Sequence, residues 1–219
     1  MTKHLLRDLE NLKKQVLLVG SLVEGAILKA TTALLERRPE LAAEVLHGDD
    51  AIDSREVMVE EECLKILALH QPVAIDLRYI VTVLKVNNDL ERMGDLAGNI
   101  AARAQDLLKY DPVRFPAEFA TMVRTVRSMV HDALDALIQS DVAISRRVLA
   151  ADDVVDHIHR QMFREMQGLA RHDPDNMEAP ISVLSASRYL ERIADQCTNI
   201  AEDVIFLVEG EIVRHRRAR

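Results

Sequence analysis

Aromatic residues make up only 3% of this 219-residue chain: four Phe, three Tyr and no Trp. Its core must therefore be built from Leu, Val, Ile, Ala and Met. Glycine (7) and proline (6) are also scarce. That removes the turn chemistry of a many-stranded β-sandwich and favours long helices. The two cysteines, Cys63 and Cys197, have no metal-ligand spacing and fit buried free thiols in a reducing compartment. Positive charge is in deficit, with 28 basic residues against 36 acidic ones and a net charge of −8. Such a chain lacks both the field that neutralises phosphates and the rings that stack on bases, so no nucleic-acid partner is expected. The exception is the tail "VRHRRAR", Val213 to Arg219, which reads as a solvated terminus. The N-terminus "MTKHLLRDLENLKK" has no apolar signal core, and no apolar run is read as approaching the ~20 residues that span a bilayer. A cytoplasmic protein, peripherally associated with membrane complexes, is expected.

What is present is aliphatic and periodic: 48% of residues are hydrophobic. The pattern predicts six helices, at about 5–36, 39–70, 73–108, 117–140, 141–171 and 178–207. Pro39 suits a first helical turn. Pro72 disfavours helix at the residue before it and ends the second. Gly48, inside the second helix, costs about 1 kcal/mol relative to Ala and allows a kink or a later start there. "KYDPVRFP" reads as an inter-domain linker, and "HDPDNMEAP" as a loop between the last two helices.

The chain also repeats itself. "ERMGDLAGNIA", from Glu91, returns as "ERIADQCTNIA", from Glu191, with Glu, Arg, Asp, Asn, Ile and Ala in the same places. "LHGDDAID", from Leu46, returns as "LAADDVVD", from Leu149. The expected fold is all-α: two tandem antiparallel three-helix bundles related by an internal pseudo-repeat. The expected divisions are 1–110, 115–210 and a basic tail, 211–219.

Residues four apart share a helix face. Glu91, Asp95 and Asn99 form one polar stripe, and Glu191, Asp195 and Asn199 another. Leu90, Met93, Ala97 and Ile100 turn to the apolar seam, as do Leu190, Ile193, Cys197 and Ile200. The preceding helix of each half carries Asp49 with Asp53, or Asp152 with Asp156, and an adjacent acid, Asp50 or Asp153. Each like-charged couple costs a helix about 0.2–0.5 kcal/mol, so writing it four times calls for a reason. One reading is a solvated acidic face, with Arg92 and Arg192 as surface partners, or Asp49 and Asp152 as N-caps. The other is a cation site: two helices side by side would gather four carboxylates, whose hard oxygens suit Mg²⁺, Ca²⁺, Mn²⁺ or iron. Gly94, Gly98 and Ala194 would allow close approach. His159, three residues after Asp156, would add a nitrogen, but its first-half counterpart is Glu56 and surface exposure is the simpler reading. "EVLH", Glu44 to His47, has the Glu-x-x-His spacing of di-iron bundles, but its second-half counterpart, "RVLA", has neither ligand.

"LERMGDLAGNIA" and "YLERIADQCTNIAEDVIFLVEG" closely resemble the two signature segments of the PhoU family of phosphate-specific transport accessory proteins. The resemblance extends over nearly the whole chain. It implies paired three-helix bundles and an acidic motif falling on Asp49/Asp53, Glu91/Asp95, Asp152/Asp156 and Glu191/Asp195. Asn99, Asn199, Asp50 and Asp153 are possible additional ligands. The resemblance also implies a metal (iron, zinc or magnesium), with "HG" at His47–Gly48 a departure that weakens the first site. By the same resemblance the protein is a non-enzymatic negative regulator of phosphate uptake and of the phosphate-starvation two-component response. It would link the ATPase subunit of a phosphate ABC transporter to a sensor histidine kinase. Exposed helix faces suggest a homodimer. The competing class is a carboxylate-rich metalloprotein for metal storage or di-iron chemistry. No phosphate-cradling glycine loop, nucleophile triad or dinucleotide fingerprint is present in the sequence.

Overall fold

The computed structural model describes residues 3–113, 115–173 and 176–211. Among these the chain forms six helices: α1 (Lys3–Glu36), α2 (Pro39–His70), α3 (Ala74–Leu107), α4 (Ala117–Gln139), α5 (Val142–His172) and α6 (Glu178–Glu209). The tail from Val213 to Arg219 lies outside the described residues. The expected helices all form, with ends shifted by at most two residues. Gly48 does not delay α2, which runs unbroken from Pro39 through it. Asp49 and Asp152 therefore stand inside helices, and the N-cap reading of them is corrected. The acid that does cap is Asp141, whose Oδ1 accepts from the backbone N–H of Ala143 (2.7 Å) and Ile144 (3.1 Å). The αL conformation stops α2 at Gln71, α4 at Ser140 and α6 at Gly210. Only Gly210 adopts it without a side-chain penalty.

The two helical trios form as expected: α1, α2 and α3 pack on one another, and so do α4, α5 and α6. Their seams are aliphatic. Leu90, Met93, Ala97 and Ile100 are fully buried, and so are Leu190, Ile193, Cys197 and Ile200. Cys63 and Cys197 are free thiols. Burial pushes the Cys63 thiol up to about 12, so it is neither a nucleophile nor a ready ligand at neutral pH.

The trios are joined along α3 and α6, and more lightly along α1 and α4. At the first contact Lys85 Nζ lies 3.1 Å from the buried Asp203 carboxylate and 5.5 Å from the centre of the Phe206 ring. At the second, Lys13 Nζ donates to the Ile138 carbonyl at 2.6 Å, and Gly20 sits under Leu134. Because of this double role α1 is more apolar than the sequence reading held. By length and composition it does reach what a bilayer crossing requires. Its buried residues, including Val16, Val19, Val23, Ile27 and Leu34, serve the core instead. The outer helices α2 and α5 carry half of the acidic couples, facing α3 and α6.

Candidate functional site: two carboxylate groups

In the first half, the α2–α3 seam brings Asp49, Asp53, Glu91 and Asp95 into one electrostatic group. Burial pushes the Asp49 carboxyl up, and Asp53, Asp95 and Asp50 push it the same way. Glu91 is raised first by burial and then by Asp95, Asp53 and Glu56, with Arg92 opposing. Glu56, which the sequence reading considered only as the counterpart of His159, thus belongs to this group. It is tied to α3 by Asn87, whose Nδ2 donates to the Glu56 carbonyl (2.8 Å) and to Oε1 (3.2 Å). Burial is also the main cause of its own upward shift, followed by Glu60 and Asp53.

The second half repeats the arrangement more deeply. Burial, then Asp156, Asp195, Asp153 and Glu191, push Asp152 up to about 6. Its Oδ1 is buried and has no hydrogen-bond partner among the described residues. Glu191 is raised by burial, Asp195 and Asp156, against Arg188 and Arg192. Asp195 is raised by desolvation and Asp156, although much of the residue is exposed. Carboxylates of neighbouring helices thus lie near enough to raise Asp49 and Glu91 in the first half and Asp152, Glu191 and Asp195 in the second, although Asp53, Asp95 and Asp195 are exposed. Among the described residues, the one cation touching any of the eight is Arg160, 3.6 Å from Asp156 on an exposed edge. That contact is worth little; Arg92, Arg188 and Arg192 act on Glu91, Glu191 and Asp195 only at longer range.

Not every expected neighbour joins the groups. Asp50 and Asp153 are exposed at the margins. Asn99 is exposed. Asn199 lines a groove of about 440 Å³ on the α3–α6 joint, with Lys85, Asn88 and Arg92. Arg92 thus faces the joint, where the sequence reading made it a surface partner of the acids. The space beside Gly94 is taken by Ile52 of α2, whose Cδ1 would lie 3.1 Å from an added Cβ. Gly94 therefore serves helix packing and not the approach of an outside group. The Glu-x-x-His spacing is used structurally: Glu44 pairs with Lys29 at 2.7 Å, and His47 Nδ1 donates to the Ala43 carbonyl at 2.6 Å.

The donor set of each group, oxygen-rich and mutually repulsive, has the chemistry of a site for a divalent cation, and the orphaned Asp152 Oδ1 is an acceptor that such an ion would satisfy. Among the described residues, however, no three His, Cys, Asp or Glu side chains already enclose a common point for an ion. The acids follow from the repeated sentence. Asn87 and Glu56 did not stand out, although a polar Asn at core spacing between Val83 and Leu90 is a signal of a buried partner.

The PhoU domain model matches twice, over residues 16–104 and 119–204. The chain is 42% identical to the phosphate-specific transport system accessory protein PhoU homolog of Aquifex aeolicus over 215 residues, covering 98% of this chain and 97% of that one. It is 38% identical to the homolog of Pseudomonas aeruginosa over 209 residues, 95% of this chain and 86% of that one. The crystal structure of PhoU from Pseudomonas aeruginosa superimposes with a TM-score of 0.90 at 37% identity, covering 94% of this chain and 99% of that chain. That of the phosphate transport system regulatory protein PhoU from Streptococcus pneumoniae gives 0.86 at 28%, covering 95% and 99%. Two tandem helical trios, an acidic group in each, and matches along both halves together place this chain in the PhoU family.

Proposed function

We propose that the protein is a non-enzymatic accessory of phosphate transport that holds uptake and the starvation response quiet. It does so as an adaptor between the ATPase subunit of a phosphate ABC transporter and a sensor histidine kinase, in the cytoplasm at the membrane complex. The observation that carries this reading is similarity to phosphate-transport accessory proteins along nearly the full length of both chains. The fold supplies the physical means: two rigid trios joined at α3–α6 present long charged faces, and a partner that binds one arrangement better shifts the population toward it. Apolar side chains left exposed on α2, such as Met58, Leu64 and Leu69, are suited to a protein contact, either with a partner or with a second copy in a homodimer.

In the same reading each carboxylate group holds a divalent cation, iron, zinc or magnesium. The first is held by Asp49, Asp53, Glu91 and Asp95, and the second by Asp152, Asp156, Glu191 and Asp195. The ion would supply positive charge that fixes α2 on α3 and α5 on α6. It would stabilise the adaptor and take no part in a reaction. Two measurements test the proposal. Tagged protein incubated with membrane extract should retain the transporter ATPase or the kinase; recovery of neither sinks the adaptor reading. Elemental analysis of protein purified without chelator or added metal should give a defined stoichiometry; a value near zero removes the cations.

A further inference from the structure

The lighter contact between the trios, α1 against α4, leaves an open groove of about 540 Å³, within the size range of small-ligand sites. Its floor is apolar. Ile27 and Val130 are buried beneath it, and Leu28 is partly exposed on it. Gly25 keeps the α1 side low: nothing lies within 4 Å of where its Cβ would stand. The α4 side is basic. Arg124 and Arg127 line it, with Ser128 beside them. Residues three and four apart share a helix face, so both guanidinium groups and the hydroxyl belong to one edge of the groove.

These two arginines are out of keeping with the rest of the chain. Acids outnumber bases by 36 to 28, and other cations at the surface find carboxylates, as Lys29 finds Glu44 and Arg38 finds Glu40. Arg124 spends one N–H on Thr121 Oγ1 at 2.9 Å and keeps its other donors. Neither it nor Arg127 pairs with a carboxylate among the described residues. Glu24, the one acid lining the groove, is engaged instead by His131, whose Nδ1 lies 3.1 Å away. Like charges one turn apart repel, so this pair is as unfavourable in an isolated helix as the acidic couples are.

From this arrangement we propose that the α1–α4 groove binds a small organic phosphate. Its phosphoryl group would sit on Arg124, Arg127 and Ser128, and its apolar or ring-shaped body on Leu28 and the open floor beside Gly25. Guanidinium forks match phosphoryl oxygens two at a time. A carboxylate has too few oxygens to engage both forks and the hydroxyl, whereas a phosphoryl group has three. The ligand would touch one helix of each trio. It would therefore favour the arrangement that holds α1 and α4 at this spacing and shift the population toward it. The inference is independent of the cation reading, since it uses none of the eight carboxylates.

The test titrates the full chain with AMP and with inorganic phosphate by calorimetry. Chelator is present throughout, so that no metal on the carboxylate groups can bridge to a phosphate. Circular dichroism melts first establish that each variant folds. AMP should bind at least about tenfold more tightly than inorganic phosphate, because only AMP has a body to bury. Arg124→Gln and Arg127→Gln should each weaken AMP at least about tenfold, as expected for loss of a charged hydrogen-bond donor. Arg171→Gln, at an exposed position near the end of α5, should leave the affinity unchanged. Absence of AMP binding at millimolar concentration overturns the proposal. So does binding that survives the double substitution of Arg124 and Arg127, or equal affinity for AMP and inorganic phosphate. Sedimentation with phosphatidylglycerol vesicles, lost on the same two substitutions while AMP fails to bind, would overturn it in favour of a lipid surface.

Discussion

Replacing Asp152 by Asn should stabilise the metal-free protein, although it changes a half-buried residue. The ordinary aspartate value is 3.8, and in the fold Asp152 rises to about 6. At ~1.4 kcal/mol per tenfold change in proton affinity, that is at most about 3 kcal/mol of unfavourable ionisation at neutral pH. The group is roughly half in solvent, so screening reduces this to about 1–1.5 kcal/mol. The sign follows from proton linkage. The folded state holds this proton more tightly than the unfolded chain, so its contribution favours folding below pH 3.8. That contribution is lost as the pH rises through the window from 3.8 to about 6. Asn keeps the shape, leaves no charge to desolvate and relieves Asp156, Asp195 and Glu191. At pH 7.5 the chelator-treated variant should melt about 2–4 °C higher than wild type. Its stability should fall less steeply between pH 4 and 6.5, and the difference between the two curves isolates this residue from the other raised carboxyls. Added Zn²⁺ or Fe²⁺ should reverse the order, raising the melting temperature of wild type more than that of the variant. Thermal melts over a pH series, with and without metal, read both effects. A metal-free variant less stable than wild type at pH 7.5, or one stabilised by metal as strongly as wild type, would refute the reasoning.

The joint and the helix ends give three further expectations. Lys85→Met takes the hydrogen-bonded cation 3.1 Å from buried Asp203; it should lower stability by roughly 1.5–3 kcal/mol, and an unchanged urea midpoint would show that the pair does not hold α3 to α6. Asp141→Ala removes two accepted backbone hydrogen bonds at the start of α5; it should cost about 1 kcal/mol, and Asp141→Asn should restore most of it in the same urea titration. Gly25 and Gly20 lie in one helix but should respond in opposite directions. A Cβ at Gly25 meets nothing within 4 Å, so Gly25→Ala should gain about 0.5–1 kcal/mol. At Gly20 the added Cβ would lie 2.7 Å from Leu134 Cδ2; Gly20→Val should therefore lower the melting temperature, and a gain in stability would mean that the α1–α4 contact is loose.

The helices were legible because each is long, aliphatic and stopped by a local signal. Pro39 opens α2, Gln71 before Pro72 closes it, and Gly210 ends α6. Such signals depend only on neighbours in the chain. The acidic groups were legible for another reason. A like-charge couple at i, i+4 is unfavourable in an isolated helix, so finding it at equivalent places in both halves points to a shared cause. What stayed hidden lies between distant segments. Nothing near Lys85 announces Asp203, and nothing in α1 tells that its small residue Gly20 faces Leu134 and not solvent. The same applies to Arg92: its place beside Glu91 suggests an ion pair, yet helical rotation turns it to the α3–α6 groove. His159 is half-buried against Ser187, a contact that its own place in the chain does not announce.

Comparing the halves shows where the chain tolerates change. Met93 is matched by Ile193 and Ala97 by Cys197, all fully buried. Aliphatic cores accept such exchanges when the neighbours adjust volume. Glu91, Asp95, Asp53 and their second-half equivalents do not vary at all between the copies. A carboxylate differs from a methyl group in that no rearrangement of neighbours supplies its charge once it is gone. Identity between the copies is shared by buried packing residues, Ile100 with Ile200 and Ala101 with Ala201, so it is the unfavourable like-charge couple, and not identity alone, that marks the acids.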